Sequence, residues 1–394
     1  MTDVRQLAAA ALPDAVTWRR HLHANPEISF QEHQTAAFIA RTLGGFAGGA
    51  LQVAHPTPTS VVATLRGSRA GGRTIALRAD IDALPIVEET GLPFASGNEG
   101  AMHACGHDGH TAVLLAVARG LAEQRDQLAG EIRFVFQHAE ELPPGGAREI
   151  VATGALAGVE AVLGCHLMST FEAGRVSVSS GPVMAAADFF DVTIEGIGGH
   201  GAFPHETVDP IAISAEIISS LQHIVSRTVD PLQSAVCSVT RFHAGSANNV
   251  IPSSVVFGGT MRCFDEGVRA GLHERFRAIV QGIAAVHRAT ATVRIDPAFD
   301  PVINDAALAA RVEASARKAA GDGAFLRIPP MMGGEDFSIY AQVAPITYWF
   351  VGARNPAAGA EWPHHHPRFT IDETAMQTAI AVMAQAALDE LGAA

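Results

Sequence analysis

The chain has 394 residues, 48% of them hydrophobic and 17% charged, which supports buried globular cores rather than disorder. At this length two domains are expected rather than one. Against 40 Asp plus Glu stand 27 Lys plus Arg, a formal charge of -13 with no basic run, so nucleic acid and anionic membrane surfaces are excluded as partners.

Leu12, Val16, Trp18 and Leu22 recur at near-helical spacing, so residues 13–23 are expected as a helix that breaks at Asn25-Pro26. Ser29-Phe30-Gln31-Glu32 resembles a capping box opening a second helix through Ala37, Phe38, Ile39 and Leu43, closed by Gly44-Gly45. Residues 60–65 and 74–77 read as strands, the second running into Arg78-Ala79-Asp80-Ile81-Asp82. Then comes Ala101-Met102-His103-Ala104-Cys105-Gly106-His107-Asp108-Gly109-His110, with three histidines, a cysteine and an aspartate in ten positions. Thiolate, imidazole and carboxylate bind divalent transition metals, and Cys105-Gly106-His107 can aim two donors at one centre. The paired CxxC spacing of a closed zinc site is missing, so further ligands must come from elsewhere and an open, catalytic site is expected.

An apolar helix follows over residues 111–121, then a strand over 132–136 ending in Gln137-His138-Ala139-Glu140-Glu141, and another over 161–163 ending in Gly164-Cys165-His166. One edge of a single α/β sheet would thereby collect Asp82, Cys105, His107, Glu140, Glu141 and His166. Near residue 187 the pattern changes: strand 189–194, helix 210–225, strands 235–242 and 254–261, helix 272–286, strand 292–295. That βαββαβ order is the split arrangement of a small ferredoxin-like domain, here inserted as residues 184–296 into a first domain of residues 1–183 and 297–394. Linkers are expected near Gly181-Pro182 and Asp296-Pro297. A helix over 306–319, the loop Met332-Gly333-Gly334-Glu335-Asp336-Phe337, a strand over 347–351, Trp362-Pro363-His364-His365-His366-Pro367 and a helix over 373–391 complete the chain.

Cys105, Cys165, Cys237 and Cys263 are widely spaced and form no disulfide framework, which fits a reducing compartment. Met1-Thr2-Asp3-Val4-Arg5 leads into an alanine run too short for a signal core, and no apolar stretch is long enough to span a bilayer. A cytoplasmic protein with no membrane partner is expected.

Glu140-Glu141 follows an apolar strand, and successive strand residues face opposite sides, so one carboxylate can hold a metal while its neighbour faces a water as general base. Read alone, His166 suits a structural histidine as well as a ligand, and chemistry does not choose among His364, His365 and His366. Gly198-Gly199-His200-Gly201-Ala202-Phe203-Pro204-His205 is either a glycine turn with surface histidines or a lid bringing a hydrogen-bond donor to a reacting carbonyl.

The segments Ala79 to Pro85, Met102 to His110, Glu140-Glu141, Gly199-His200-Gly201 with Pro204-His205, Asn248-Asn249-Val250-Ile251-Pro252, Gly334-Glu335-Asp336-Phe337 and His365-His366-Pro367 together resemble the M20 metallopeptidase family. Within it they resemble the amidohydrolase branch of hippurate hydrolases, N-acyl-amino-acid amidohydrolases and indole-acetyl-amino-acid hydrolases. The resemblance implies an α/β metallopeptidase-type catalytic domain, a central mixed sheet flanked by helices, carrying the ferredoxin-like insertion as a lid and dimerisation domain. It implies two divalent ions per subunit, zinc or manganese, with cobalt and nickel as alternatives. Cys105 would bridge them, His107, Glu141, His166 and His365 would complete the ligands, and Glu140 would be the general base. His365 is preferred because the family pattern is His-x-Pro, which Pro367 sets in register.

By the same resemblance Asp82 supports the metal centre, and His200 stabilises the oxyanion, in dimeric relatives from the partner subunit; Asn249 and Arg262 lie near substrate. Arg262 suits a substrate carboxylate. A homodimer, or a dimer of dimers through the insertion, is implied. Two departures touch the rim of the site: Ser169, where this branch often has proline, and Leu142-Pro143-Pro144 after the glutamate pair. The expected reaction is amide hydrolysis of a small-molecule N-acyl amino acid to a carboxylic acid and an amino acid. The alternatives are an exopeptidase using the same site and a non-catalytic metal- or metabolite-binding homologue, against which the retention of Glu140 argues.

Overall fold

Asp3 accepts N–H bonds from Arg5 and Gln6 and so opens α1 (Val4–Ala24), in a computed structural model that describes residues 3–392. The helix starts before the expected residue 13 because Val4, Ala8, Ala11 and Ala15 extend its buried stripe, while Pro13 sits on the exposed face. Next comes α2 (His33–Gly44), but the expected capping box is absent. Ser29 Oγ instead donates to Asp82, and Glu32 accepts from the N–H groups of Phe30 and Ala139, so these residues tie distant segments together.

Strands β1 (Gln52–Ala54), β2 (Val61–Arg66) and β3 (Arg69–Asp80) lead to α3 (His107–Ala122), which starts inside the metal-like loop rather than after it. Every residue of α3 except Arg119 is buried: the run from Ala112 to Ala118 is apolar throughout, and His107, Asp108 and His110 in the first turn are hydrogen-bonded. β4 (Ala129–Gln137) and α4 (Gly146–Ala152) follow, then β5 (Ala161–Glu172), β6 (Val176–Ser177) and β7 (Gly181–Met184). β5 does not end at His166 as expected. It is buried from Ala161 to Ser169, the pattern of a strand covered on both faces, so His166 lies within it.

The chain continues through β8 (Ala186–Glu195), β9 (Gly199–His200), α5 (Pro210–His223), β10 (Ala235–Ala244), β11 (Val250–Ile251), β12 (Ser254–Cys263), α6 (Glu266–Val286) and β13 (Thr290–Phe299). The four long strands form an antiparallel sheet in the order β10-β12-β8-β13, the ferredoxin-like order of the expected βαββαβ unit. Phe190, Val192, Ile194, Val255 and Phe257 of the sheet share a core with Ile213, Ile217, Leu221, Phe276 and Val280 of the two helices. The expected linker at Asp296-Pro297 lies inside β13: this is an edge strand with a register shift after Pro297, where a residue without N–H is accommodated. Gly181-Pro182 likewise lies within β7.

β14 (Val302–Asn304), α7 (Ala306–Ala320), β15 (Ile346–Arg354) and α8 (Ala375–Leu391) complete the elements. β15 enters the first sheet, a mixed seven-stranded sheet in the order β1-β2-β4-β3-β5-β15-β6. Its central strands β4, β3, β5 and β15 are parallel, with antiparallel strands outside them. Two compact units result: the chain up to Val183, Ile303–Pro329 and the chain from Asp336 onward in one, Met184–Val302 with Pro330–Glu335 in the other. Among the described residues no helix is long and apolar enough to cross a membrane.

Candidate active site

Parallel pairing brings Asp80 at the end of β3 beside Gln137 at the end of β4, so the segments that follow emerge together. After β4 the chain leaves the extended conformation and bends at Ala139, whose φ of 50° is left-handed and whose N–H is held by Glu32 Oε1 at 2.8 Å. The expectation that Glu140 and Glu141 face opposite sides therefore fails, because the pair follows a turn rather than continuing a strand. Glu140 Oε2 and Glu141 Oε1 lie 4.0 and 3.9 Å from the same atom, His107 Nε2.

Asp82 organises this corner. It accepts from Ser29 Oγ at 2.7 Å, from the Glu141 N–H at 3.0 Å and from His107 Nδ1 at 3.1 Å, and its main-chain oxygen lies 3.0 Å from the same Nδ1. With two acceptors at Nδ1 that nitrogen carries a proton, so Nε2 is the nitrogen that His107 turns into the site. His166 follows the same rule: Nδ1 donates to the Leu167 carbonyl at 3.0 Å, leaving Nε2 facing Cys105 Sγ at 3.6 Å. His110 is different, since Nδ1 donates to Asp80 at 2.6 Å and Nε2 accepts the Leu167 N–H at 2.8 Å, which uses both nitrogens.

The donor atoms of Cys105, His107 and His166 lie within 4.8 Å of one another, and so do those of Cys105, Glu141 and His365. Cys105 belongs to both groups, which is the arrangement a bridging thiolate needs. His107 Nε2 is buried and makes no hydrogen bond, an arrangement that is costly unless a cation satisfies it. The mixed sulfur, nitrogen and oxygen donors fit borderline divalent ions.

Electrostatics agree. Burial and the carboxylates of Glu141, Glu140 and Asp80 push the Cys105 thiol well up, so it requires positive charge nearby to become a thiolate. Burial opposes protonation of His107, but Asp80, Asp82 and Glu141 outweigh it and raise the imidazole to about 10, the mark of a pocket that attracts cations. Burial and the neighbouring His110 and His364 push His166 well down, keeping it neutral.

The three consecutive histidines separate cleanly. His365, in a left-handed conformation at φ 65°, places Nε2 3.2 Å from Glu141 Oε1. His364 accepts the Ser169 N–H, and His366 stacks on Trp362 at 4.3 Å and caps the Arg368 N–H. All five expected ligands, with Glu140 and Asp82, thus converge within the first unit.

His200, Asn249 and Arg262 belong to the second unit. His200 Nδ1 accepts the Ala202 N–H at 3.0 Å, so the ring's proton sits on Nε2 of an exposed side chain. The Asn249 carbonyl accepts from Gly201 at 2.8 Å, where β9 meets β11. Arg262 is half-buried on β12, donates to Thr260 Oγ1 at 3.0 Å, and lies over the Phe189 ring.

Sequence reasoning gave no role to the buried lattice behind the ligands. Arg78 bridges Asp80 at 2.6 Å and Asp336 at 3.0 Å, and Gln137 donates to both oxygens of Asp336 while accepting from Tyr340 and Arg78. On another side Asp108 accepts from Arg19 at 3.0 Å and His23 at 2.8 Å. The available signal was the two-residue spacing of Arg78, Asp80 and Asp82 at one strand end.

The Peptidase family M20/M25/M40 model matches residues 76–389. An N-acyl-L-amino acid amidohydrolase of Geobacillus stearothermophilus is 52% identical over 77% of this chain and 81% of its own length. Thermostable carboxypeptidase 1 of Saccharolobus solfataricus is 39% identical over 91% of each chain. Among solved structures, the YxeP protein of Bacillus subtilis, a dinuclear metal-binding peptidase of the M20 family, superposes with a TM-score of 0.81 at 37% identity, covering 97% of this chain and 99% of that one. The shared motifs, the fold and the converging donors have one explanation: this chain belongs to the peptidase family M20/M25/M40.

Proposed function

We infer that this protein is a metal-dependent amidohydrolase that cleaves the amide bond of N-acyl amino acids, releasing a carboxylic acid and a free amino acid. The observation that carries the reading is Cys105, common to two groups of converging donors, next to a second carboxylate, Glu140, held at the same pocket. The relative from Geobacillus stearothermophilus supports the substrate class. Cys105, His107, Glu141, His166 and His365 would hold two divalent ions, zinc or manganese first, cobalt or nickel otherwise. Bound there, such ions polarise the amide carbonyl and acidify water.

The chain's own groups do the rest. Glu140 accepts the proton of the attacking water and returns it to the leaving amine. His200 gives its Nε2–H to the developing oxyanion, from the partner subunit of a homodimer formed through the second unit, and Arg262 pairs with the substrate carboxylate beside Asn249. Four unpaired cysteines support a reducing, cytoplasmic setting.

A second reading, exopeptidase action on short peptides, is favoured by the carboxypeptidase relative and uses the same site. Protein stripped of metal and refilled with zinc, manganese, cobalt or nickel should release amino acid from hippurate or N-acetyl amino acids faster than from a dipeptide. Faster dipeptide cleavage would favour the exopeptidase, and no release from folded, metal-loaded protein would overturn both.

A further inference from the structure

His365 is a non-glycine residue at φ 65°, and such a conformation persists only where its surroundings hold it. Its own N–H is tied to the Ala104 carbonyl at 2.8 Å, and two residues on, the Pro367 carbonyl accepts from Glu89 at 2.8 Å. On the other side stands His364. Its Nε2 accepts the Ser169 N–H at 3.1 Å, so that nitrogen carries a lone pair and the proton is on Nδ1.

That N–H is available for a specific reason. β5 pairs with β15 in register up to Met168 opposite Gly352, then the register shifts and resumes at Glu172 opposite Arg354. Ser169 falls in the gap, three residues beyond His166 on the same strand, and its N–H points to an imidazole instead of a neighbouring strand. The His364 ring also packs edge-on against His166, with centroids 5.2 Å apart.

We propose that His364 is a positioning residue, which through Ser169 pins the loop carrying His365 to the strand carrying His166 and so fixes the separation of two metal donors from distant segments. This rests on the reading of His365 as a ligand. His364 itself has no lone pair to offer a metal, because Nε2 is occupied by Ser169.

The test compares His364→Leu, His364→Gln and His365→Ala in the full chain, reading metal stoichiometry and affinity for zinc by competition with a chelator, and melting of the metal-stripped protein. Loss of a contact that orients a ligand typically weakens metal binding about 10–100-fold. His364→Leu should lose about that much for one of two ions, with the stripped protein melting only a few degrees lower because the buried Ser169 N–H is left without its acceptor, and His364→Gln, whose Oε1 can accept from Ser169, should recover most of both. Wild-type affinity in His364→Leu, or no rescue by glutamine, overturns the proposal. If His365→Ala also binds two ions normally, the ligand reading falls as well; if His365→Ala loses metal while His364→Leu does not, only the positioning role falls. Should His364→Leu fail to fold, His364→Phe keeps a ring of similar size with no acceptor for the Ser169 N–H, and there too undiminished affinity would overturn it.

Discussion

Asp82 and His107 meet twice, through the aspartate's Oδ1 at 3.1 Å and its main-chain oxygen at 3.0 Å, both on Nδ1. This double contact leaves the imidazole no choice of tautomer, and it gives Nε2 to the pocket. Burial would raise the Asp82 carboxyl, but hydrogen bonds from His107, Ser29 and the Glu141 N–H hold it below the usual carboxylate range. Replacing it as Asp82→Asn puts an N–H where an acceptor is needed. Zinc affinity measured by chelator competition should fall about 10–100-fold, and an unchanged affinity would remove Asp82 from the metal assembly.

Glu140 and Cys105 should separate binding from chemistry. Glu140→Gln keeps the size of the side chain but cannot accept the water's proton, so both ions should remain while kcat falls about 10²–10⁴-fold, the usual share of a general base. Cys105→Ala removes the donor common to both ligand groups, so metal analysis should show both ions lost or weakened together. Full turnover in either variant contradicts the assignment.

Much of this was legible in the sequence because the ligand-bearing segments are local: Cys105 and His107 share a loop, Glu140 and Glu141 are adjacent, and Pro367 marks His365. What the sequence hid is tertiary. Ser29 and Glu32 have the pattern of a capping box, yet both side chains serve segments more than fifty residues away, Asp82 and Ala139. No local pattern signals that Ala139 turns left-handed, just before two glutamates whose carboxylates lie 4.0 and 3.9 Å from His107 Nε2. β5 runs past the expected end at His166 for a related reason: a strand buried on both faces has no alternation to mark its length.

The second unit contains its own buried charge cluster, Asp188 with Arg269 and His273. Burial would raise the Asp188 carboxyl, but these hydrogen bonds hold it below its ordinary value. A depressed carboxyl contributes stability that is complete above its unfolded pKa of about 4 and is lost as pH falls through the lower folded value. Asp188→Asn leaves Arg269 short of a buried partner and should cost about 2–4 kcal/mol at pH 7 in urea unfolding. The gap to wild type should hold down to about pH 4 and narrow only below it; a gap that closes by pH 6 would assign the loss to another group.

Glu32 has the opposite sign. It is wholly buried, and burial together with the charge of Asp82 pushes its carboxyl up to about 7 from an ordinary 4.5. At pH 4 the group is mostly protonated whether the chain is folded or not. As pH rises toward 7 the unfolded chain releases its proton first, so folding must retain a proton or bury a charge, and stability falls through that window. Glu32→Gln keeps an oxygen to accept the Ala139 N–H and removes the titration. It should therefore match wild type at pH 4 and exceed it by on the order of 2 kcal/mol at pH 8 in metal-free unfolding. Glu32→Ala also leaves the Ala139 N–H without its partner and frees the turn that sets Glu140, so it should lower kcat at every pH, whereas Glu32→Gln should not. If glutamine gives no gain at alkaline pH, the carboxyl is not the buried, raised group this corner describes; if alanine leaves kcat intact, the turn at Ala139 holds its shape without it.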